Sequence, residues 1–277
     1  MEVHMRRREE SDQIPAFTGE KIPKDFLCEA YLPGSKLAEF YLKLKSSSLD
    51  KVTKTLLEKK IVELYGFQNT NLENGEIIKG FLADVSGSNE GARDLVEKLK
   101  NIDGVLEVRF SDNVLNGLII DELFFPLMVG GERSFTLRVE SFGAILRRLY
   151  EKFGTGAAVI LYEMGIGMGE SKFKSVVSKY KVNKETAVKI ILAERSAKGW
   201  CIAQLEDYDK NGAIIVAREL FECLPFKNSQ ERSISQFFRG YLAGIFQQVY
   251  GRSVSVTEVE CIAKGDGACK FIIQPVK

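Results

Sequence analysis

Three side chains near the C-terminus have the types and spacing of a metal site. Glu258, Cys261 and Cys269 form the pattern E-x-x-C-x(7)-C, with a Gly-Asp-Gly turn between the two cysteines. Thiolates and a carboxylate brought together by a tight hairpin are soft-to-borderline donors of the kind that hold zinc. Strand geometry sets a condition on them. Residues three apart on a regular strand face opposite sides, so Glu258 and Cys261 converge only if the backbone bulges between them. Two readings follow: a metal site, or two buried cysteines packed across a hairpin and able to form a disulfide.

Other chemistry is scarce. The single histidine of the chain is His4, which removes Ser-His-Asp and Cys-His nucleophilic centres and histidine-ligated haem from consideration. The five cysteines, Cys28, Cys201, Cys223, Cys261 and Cys269, are an odd number spread over 277 residues, which suits a reducing cytoplasm better than a disulfide framework. Lys plus Arg number 39 against 38 Asp plus Glu, so no global basic field exists for nucleic acid. The local run Arg6–Arg8 is followed at once by Glu9 and Glu10 and reads as a solvated tail. No helix-turn-helix pattern with a basic recognition face is evident, so no direct nucleic-acid binding is expected. Neither a membrane-length apolar run nor a signal peptide is present, and the expected location is cytoplasmic. The glycines of GIGMG (165–169) lack Walker spacing and are explained by close helix packing.

The elements that position these residues fall into two halves, after an irregular extension at 1–35 punctuated by Pro15, Pro23 and Pro33. Over 36–111 the patterning predicts strand, helix, strand, strand, helix, strand, with a hairpin across Asn74-Gly75. That order is the ferredoxin-like split unit, and FLADVSGSNEGARDLVEKLKNIDGVLEVRF resembles an ACT-type regulatory domain. ACT domains place glycine in the loop after the first strand. Here Ser46–Ser48 stand there, so a dimerisation or packing role is favoured over effector binding.

From 118 to 277 the spacing predicts helices over 141–154 and 184–200, a hairpin around Lys210-Asn211-Gly212, a long amphipathic helix in RSISQFFRGYLAGIFQQVYG and a closing hairpin. FECLPF, the G-Y-x-x-G helix and VTEVECIAKGDGACKFII together resemble the 4-vinyl-reductase domain, a family that includes sensors of aromatic compounds. The resemblance implies an α+β chain overall, its C-terminal domain having a mixed α/β fold shared with haem nitric-oxide-binding and vesicle-tethering proteins. It also implies a pocket for a small hydrophobic ligand (aromatic, hydrocarbon or acyl), a non-enzymatic sensor role and a homodimer. The alternative it leaves open is an accessory or carrier protein of tetrapyrrole metabolism.

In aromatic-sensing relatives a cysteine at the start of the G-Y-x-x-G helix joins Glu, Cys and Cys of the hairpin around zinc. Carried over, the metal residues are Glu258, Cys261 and Cys269. The helix position is Ser235, so water, Cys223 or a partner chain must complete the set. Candidate ligand-binding residues are Phe142, Leu146, Tyr162, Trp200, Phe238 and Tyr241, the apolar and aromatic side chains of the C-terminal half; Trp200 and Tyr241 also carry polar handles.

Overall fold

The computed structural model describes residues 21–276 apart from 27 and 90, and His4, Arg6–Arg8 and Pro15 lie outside the described residues. The chain forms two compact units, Gly19–Phe135 and one centred on Thr136–Lys277.

The N-terminal unit is built of β1 (Glu29–Tyr31), β2 (Leu37–Lys45), α1 (Leu49–Glu58), β3 (Val62–Thr70), β4 (Glu76–Asp84), α2 (Ala92–Lys100), β5 (Val105–Ser111), β6 (Val114–Leu115), β7 (Leu118–Ile120), β8 (Met128–Val129) and β9 (Glu132–Arg133). Its main sheet is antiparallel in the order β3-β4-β2-β5, the ferredoxin-like arrangement that the strand–helix pattern predicts. Alternation along β2 sends Ala38, Phe40, Leu42 and Leu44 into one core with Val52 and Leu56 of α1 and Leu95, Val96 and Leu99 of α2. Asn74-Gly75 turns the chain between β3 and β4, with Gly75 at a φ of 69°.

This unit reaches beyond 36–111 at both ends. β1, within the stretch read as an irregular extension, pairs with β7, and β7 pairs with β6. The second face of the main sheet explains the need for these segments. Glu39 points to that face and is 1% exposed; its Oε2 accepts hydrogen bonds from the backbone N–H of Glu122 (2.9 Å) and Leu123 (3.2 Å). A buried carboxyl without such donors would be costly, so the strap after β7 belongs to the sheet it covers. Phe124 of that strap lies against Phe67, 4.8 Å between ring centroids, over the space left by Gly80.

The C-terminal unit runs α3 (Val139–Phe153), α4 (Gly156–Tyr180), α5 (Lys184–Ala197), β10 (Ile202–Tyr208), β11 (Ala213–Arg218), α6 (Gln236–Tyr250), β12 (Val254–Glu260) and β13 (Cys269–Pro275). The sheet is antiparallel in the order β10-β11-β13-β12. The core joins the sheet (Ile215, Ala217, Val256, Phe271, Ile273) to α5 and α6. Helices α4 and α6 cross with their backbones in close approach. A Cβ on Gly165 or Gly169 would strike the carbonyl oxygen of Phe237 or Tyr241, and one on Gly240 or Gly244 that of Tyr162 or Ile166. Gly165 and Gly169 of GIGMG are therefore helical packing positions, whereas Gly167 between them faces open space. Among the described residues no helix is long and apolar enough to cross a membrane.

Candidate metal centre and aromatic cluster

The final hairpin meets the geometric condition that its sequence sets. Register along β12 and β13 shifts between Glu258, opposite Phe271, and Glu260, opposite Lys270. This bulge turns Glu258 and Cys261 to the same side. Past the strand, Gly265 takes a φ of 108° in the turn, and Asp266 Oδ2 accepts the N–H of Cys261 at 2.7 Å. The turn thereby returns the chain so that Cys269 faces Cys261.

The fourth member comes from outside the hairpin. Cys223, just ahead of the short 3-10 turn Leu224–Phe226, places its sulfur 3.7 Å from that of Cys261 and 3.6 Å from that of Cys269. One ligand atom each from Cys223, Glu258, Cys261 and Cys269 lies within 4.8 Å of all the others. The three cysteines are fully buried and none is in a disulfide. Ser235 stands beside the cluster: its hydroxyl donates to Glu258 Oε1 at 2.7 Å and lies 2.9 Å from Cys223 Sγ. The second oxygen of Glu258, Oε2, is buried with no hydrogen-bond partner among the described residues. A buried, unpaired acceptor next to three thiols is what a cation would satisfy. The group can hold a metal ion.

Electrostatics agree. Burial pushes the Glu258 carboxyl up to about 8. Hydrogen bonding with Cys223 and Cys269 holds the Cys261 thiol far below its ordinary value, while hydrogen bonding to Cys261 and Cys269, with burial, raises Cys223. One negative charge is thus easily carried by the cluster and a second is resisted, until a cation compensates it.

Glu222, the neighbour of Cys223, is completely buried. Its two oxygens accept the N–H groups of Phe237 (2.9 Å) and Phe238 (2.8 Å) in the first turn of α6. Ser235, the N-cap of that helix, makes no side-chain capping bond. Glu222 therefore satisfies the orphan amides at the helix start, and burial lifts its carboxyl to about 8 against the pull of those two donors. Adjacent residues 222 and 223 tie one short segment both to α6 and to the hairpin.

Of the candidate ligand-binding side chains, Tyr241 meets Trp200 directly and Phe142 reaches it through Phe221 and Phe237. Phe238 instead packs on Tyr241 and Phe271, and Tyr162 lies under Arg239. Phe142 and Leu146 of α3 lie in one apolar cluster with Leu161, Phe221 and Phe237. Tyr162, Phe238 and Tyr241 belong to the main core, and Trp200 touches both groups. The Trp200 ring is 5.2 Å from Phe221, 5.9 Å from Phe237 and 5.4 Å from Tyr241; Phe142 is 5.0 Å from Phe221. Phe238 and Tyr241 are fully buried, whereas Phe142, Tyr162 and Trp200 are half-buried. Phe221 and Phe237, absent from the sequence-derived set, are central to the cluster. Phe237 is adjacent to the expected Phe238 on α6, and its burial depends on α3 packing against it, which no local pattern announces. A cavity of about 250 Å³, lined by Arg147, Tyr150, Glu151, Phe226, Gln230 and Ile234, adjoins the same cluster through Tyr150 and Phe226.

Residues 215–275 match the family model of the 4-vinyl-reductase domain. The match takes in most of β11, the Cys223 segment, α6 and the whole hairpin that carries Glu258, Cys261 and Cys269. The chain is also similar, at low identity, to several solved structures. The phenol-responsive sensory domain of the transcription activator PoxR, solved with phenol, is 16% identical over 53% of this chain and 79% of its own, with a TM-score of 0.49. A vinyl-4-reductase family protein from Methanocaldococcus jannaschii is 19% identical over 52% and 85%, TM-score 0.37. Trafficking protein particle complex subunit 3 from Naegleria fowleri, covalently bound to palmitic acid, is 17% identical over 50% and 93%, TM-score 0.40. No curated protein matches the chain.

Proposed function

We propose that the C-terminal unit is a non-enzymatic sensor module that takes a small hydrophobic molecule against the aromatic cluster at Trp200. A zinc ion bound by Cys223, Glu258, Cys261 and Cys269 braces its wall. The observation that carries the reading is the convergence of Phe221, Phe237 and Tyr241 on the half-buried Trp200, with Phe142 of α3 packed against Phe221 and Phe237 behind them. Apolar, aromatic-lined sites with few polar groups are the usual form of small-ligand pockets. The match of 215–275 to the 4-vinyl-reductase domain supports the same reading, because it spans the helix and hairpin that back this cluster.

Zinc suits the cluster better than a disulfide does. Sulfurs bound at about 2.3 Å in a tetrahedron stand about 3.8 Å apart, whereas disulfide sulfurs stand about 2.05 Å apart. The Cys223 pairs at 3.6 and 3.7 Å lie close to the former. Three thiols and one carboxylate make a closed, structural ligand set, in which zinc supplies a cross-link and charge compensation. The segment from Cys223 to Ser235 runs from the cluster, past the cavity-lining Phe226, Gln230 and Ile234, to the start of α6. Occupation of the apolar site therefore has a short path to that helix.

The purified chain, assayed for metal and then screened by thermal shift against aromatics, fatty acids and tetrapyrroles, tests this reading. Ligands that bind only the native state raise the melting temperature. The expected results are about one zinc per chain, as a single closed site requires, and a shift with at least one class. No shift from any of the three classes would overturn the ligand role.

A further inference from the structure

Two polar atoms at the inner end of the aromatic cluster lack hydrogen-bond partners among the described residues: Arg195 Nε and Tyr241 Oη. Arg195 is only 5% exposed and Tyr241 is fully buried. They are neighbours. The guanidinium lies 4.4 Å from the Trp200 ring centroid and 5.4 Å from that of Tyr241. An aromatic face stabilises the guanidinium charge but does not use its N–H donors. Buried donors are nearly always paired, so two unpaired ones on neighbouring side chains call for an acceptor.

The surrounding charge defines that acceptor. The carboxylate beside Arg195 is that of Glu194, with an oxygen 3.6 Å from the guanidinium. That same oxygen also serves Lys172 at 2.6 Å and Lys198 at 3.5 Å. Three cations thus share one carboxylate, and Arg195 Nε meets no acceptor among the described residues. Burial raises the Tyr241 hydroxyl above its ordinary value, so it remains a donor at neutral pH.

We propose that Arg195 Nε and Tyr241 Oη form the headgroup site of the ligand pocket and select a hydrophobic carboxylate, an aromatic or acyl acid, over neutral hydrocarbons and phenols. The acid's oxygens accept from both donors while its apolar body lies along Trp200 and the phenylalanines. This inference rests on the aromatic cluster being the ligand site. Arg195 was absent from the sequence-derived site residues because one arginine on the amphipathic helix α5 reads as a solvated charge.

Trp200 is the only tryptophan of the chain and stacks on Arg195, so its fluorescence reports directly on the site. The full-length protein is titrated with benzoate, 3-phenylpropionate and octanoate, and with the neutral counterparts benzyl alcohol, 3-phenylpropanol and octanol. At least one acid should bind about ten-fold or more tighter than its alcohol, as expected of a charge-assisted hydrogen bond. Arg195→Met and Tyr241→Phe should each abolish that preference and leave alcohol binding in place. If Arg195→Met fails to fold, Tyr241→Phe, which removes a single oxygen, decides. Alcohols binding as tightly as acids would overturn the headgroup inference and leave the ligand site standing. An acid preference unchanged by the variants would overturn it too. Absence of any fluorescence response to either series would overturn both the inference and the ligand reading beneath it.

Discussion

Cys223 Sγ lies 2.9 Å from Ser235 Oγ, so the residue at the start of α6 touches the candidate metal cluster without supplying a thiolate to it. The third sulfur, and with it the fourth candidate ligand, arrives instead from Cys223, twelve residues upstream. Ser235 keeps a supporting role, its hydroxyl holding Glu258 Oε1 at 2.7 Å. Such outer hydrogen bonds orient carboxylate ligands and tune their affinity.

That exchange is testable by moving the sulfur. Cys223→Ser should lower zinc content and melting temperature, and Ser235→Cys in the same chain should restore both. Ser235→Ala leaves all four ligands and should weaken metal affinity by about 10- to 100-fold, as loss of an outer-shell partner does. Metal analysis after graded chelator competition reads all three variants. Full zinc content in Cys223→Ser alone would show that Cys223 is not a ligand.

Glu222 gives a prediction independent of metal. Its carboxylate receives two amide donors at the head of α6, and Glu222→Ala leaves both buried and unpaired at a cost of about 1–3 kcal/mol each. Glu222→Gln retains one acceptor and should fall between Ala and the parent in urea denaturation. Equal stability of all three proteins would rule out the capping role.

The hairpin and its bulge were legible in the sequence because E-x-x-C-x(7)-C sets three residues on the two arms of one hairpin, and the convergence of Glu258 with Cys261 needs a local irregularity. Gly165 and Gly169 of α4 were legible as packing positions for the same local reason, but the sequence did not set Gly167 apart from them. The role of Cys223 was legible only as one of several options, since eleven residues without a repeating pattern separate it from Ser235. Glu222 and Arg195 were not legible at all. Both are charged residues whose burial depends on distant partners, and a single sequence reads such residues as surface. The strap over Glu39 was missed in the same way: residues 112–135 lack strong periodicity, and their place follows from a buried carboxyl on β2 that needs their amides.

The α4–α6 contact predicts opposite outcomes at neighbouring glycines. Gly165→Ala and Gly240→Ala each push a methyl into a backbone carbonyl that cannot swing aside, and overpacking of that kind costs about 1–3 kcal/mol or more. Gly167, on the same helix, has nothing within 4 Å of where its Cβ would stand. There alanine should stabilise by about 0.5–1 kcal/mol through helix propensity alone. Thermal melts of the three single variants measure the contrast. Destabilisation of Gly167→Ala to the same degree as the others would mean that the helices do not meet through this face.

The N-terminal unit should lose stability as pH rises through neutrality. Burial lifts the Glu39 carboxyl to about 7, with the neighbouring Asp121 adding to the rise and the amides of Glu122 and Leu123 opposing it. In the unfolded chain Glu39 titrates near its ordinary value of 4.5. A carboxyl raised in the folded state favours folding while it is protonated. Its contribution is complete below about pH 4.5 and is lost as pH climbs through about 7. Glu39→Gln keeps an acceptor for the strap amides and cannot ionise. The variant should therefore flatten the pH dependence between about 5 and 8 and exceed the parent in stability at about pH 8, where the parent buries a carboxylate. Hydrogen exchange of the Glu122 and Leu123 amides reads the effect at the strap itself: the parent should lose protection faster than the variant as pH rises, after correction for intrinsic exchange. Parallel protection in the two proteins would place the titrating group elsewhere.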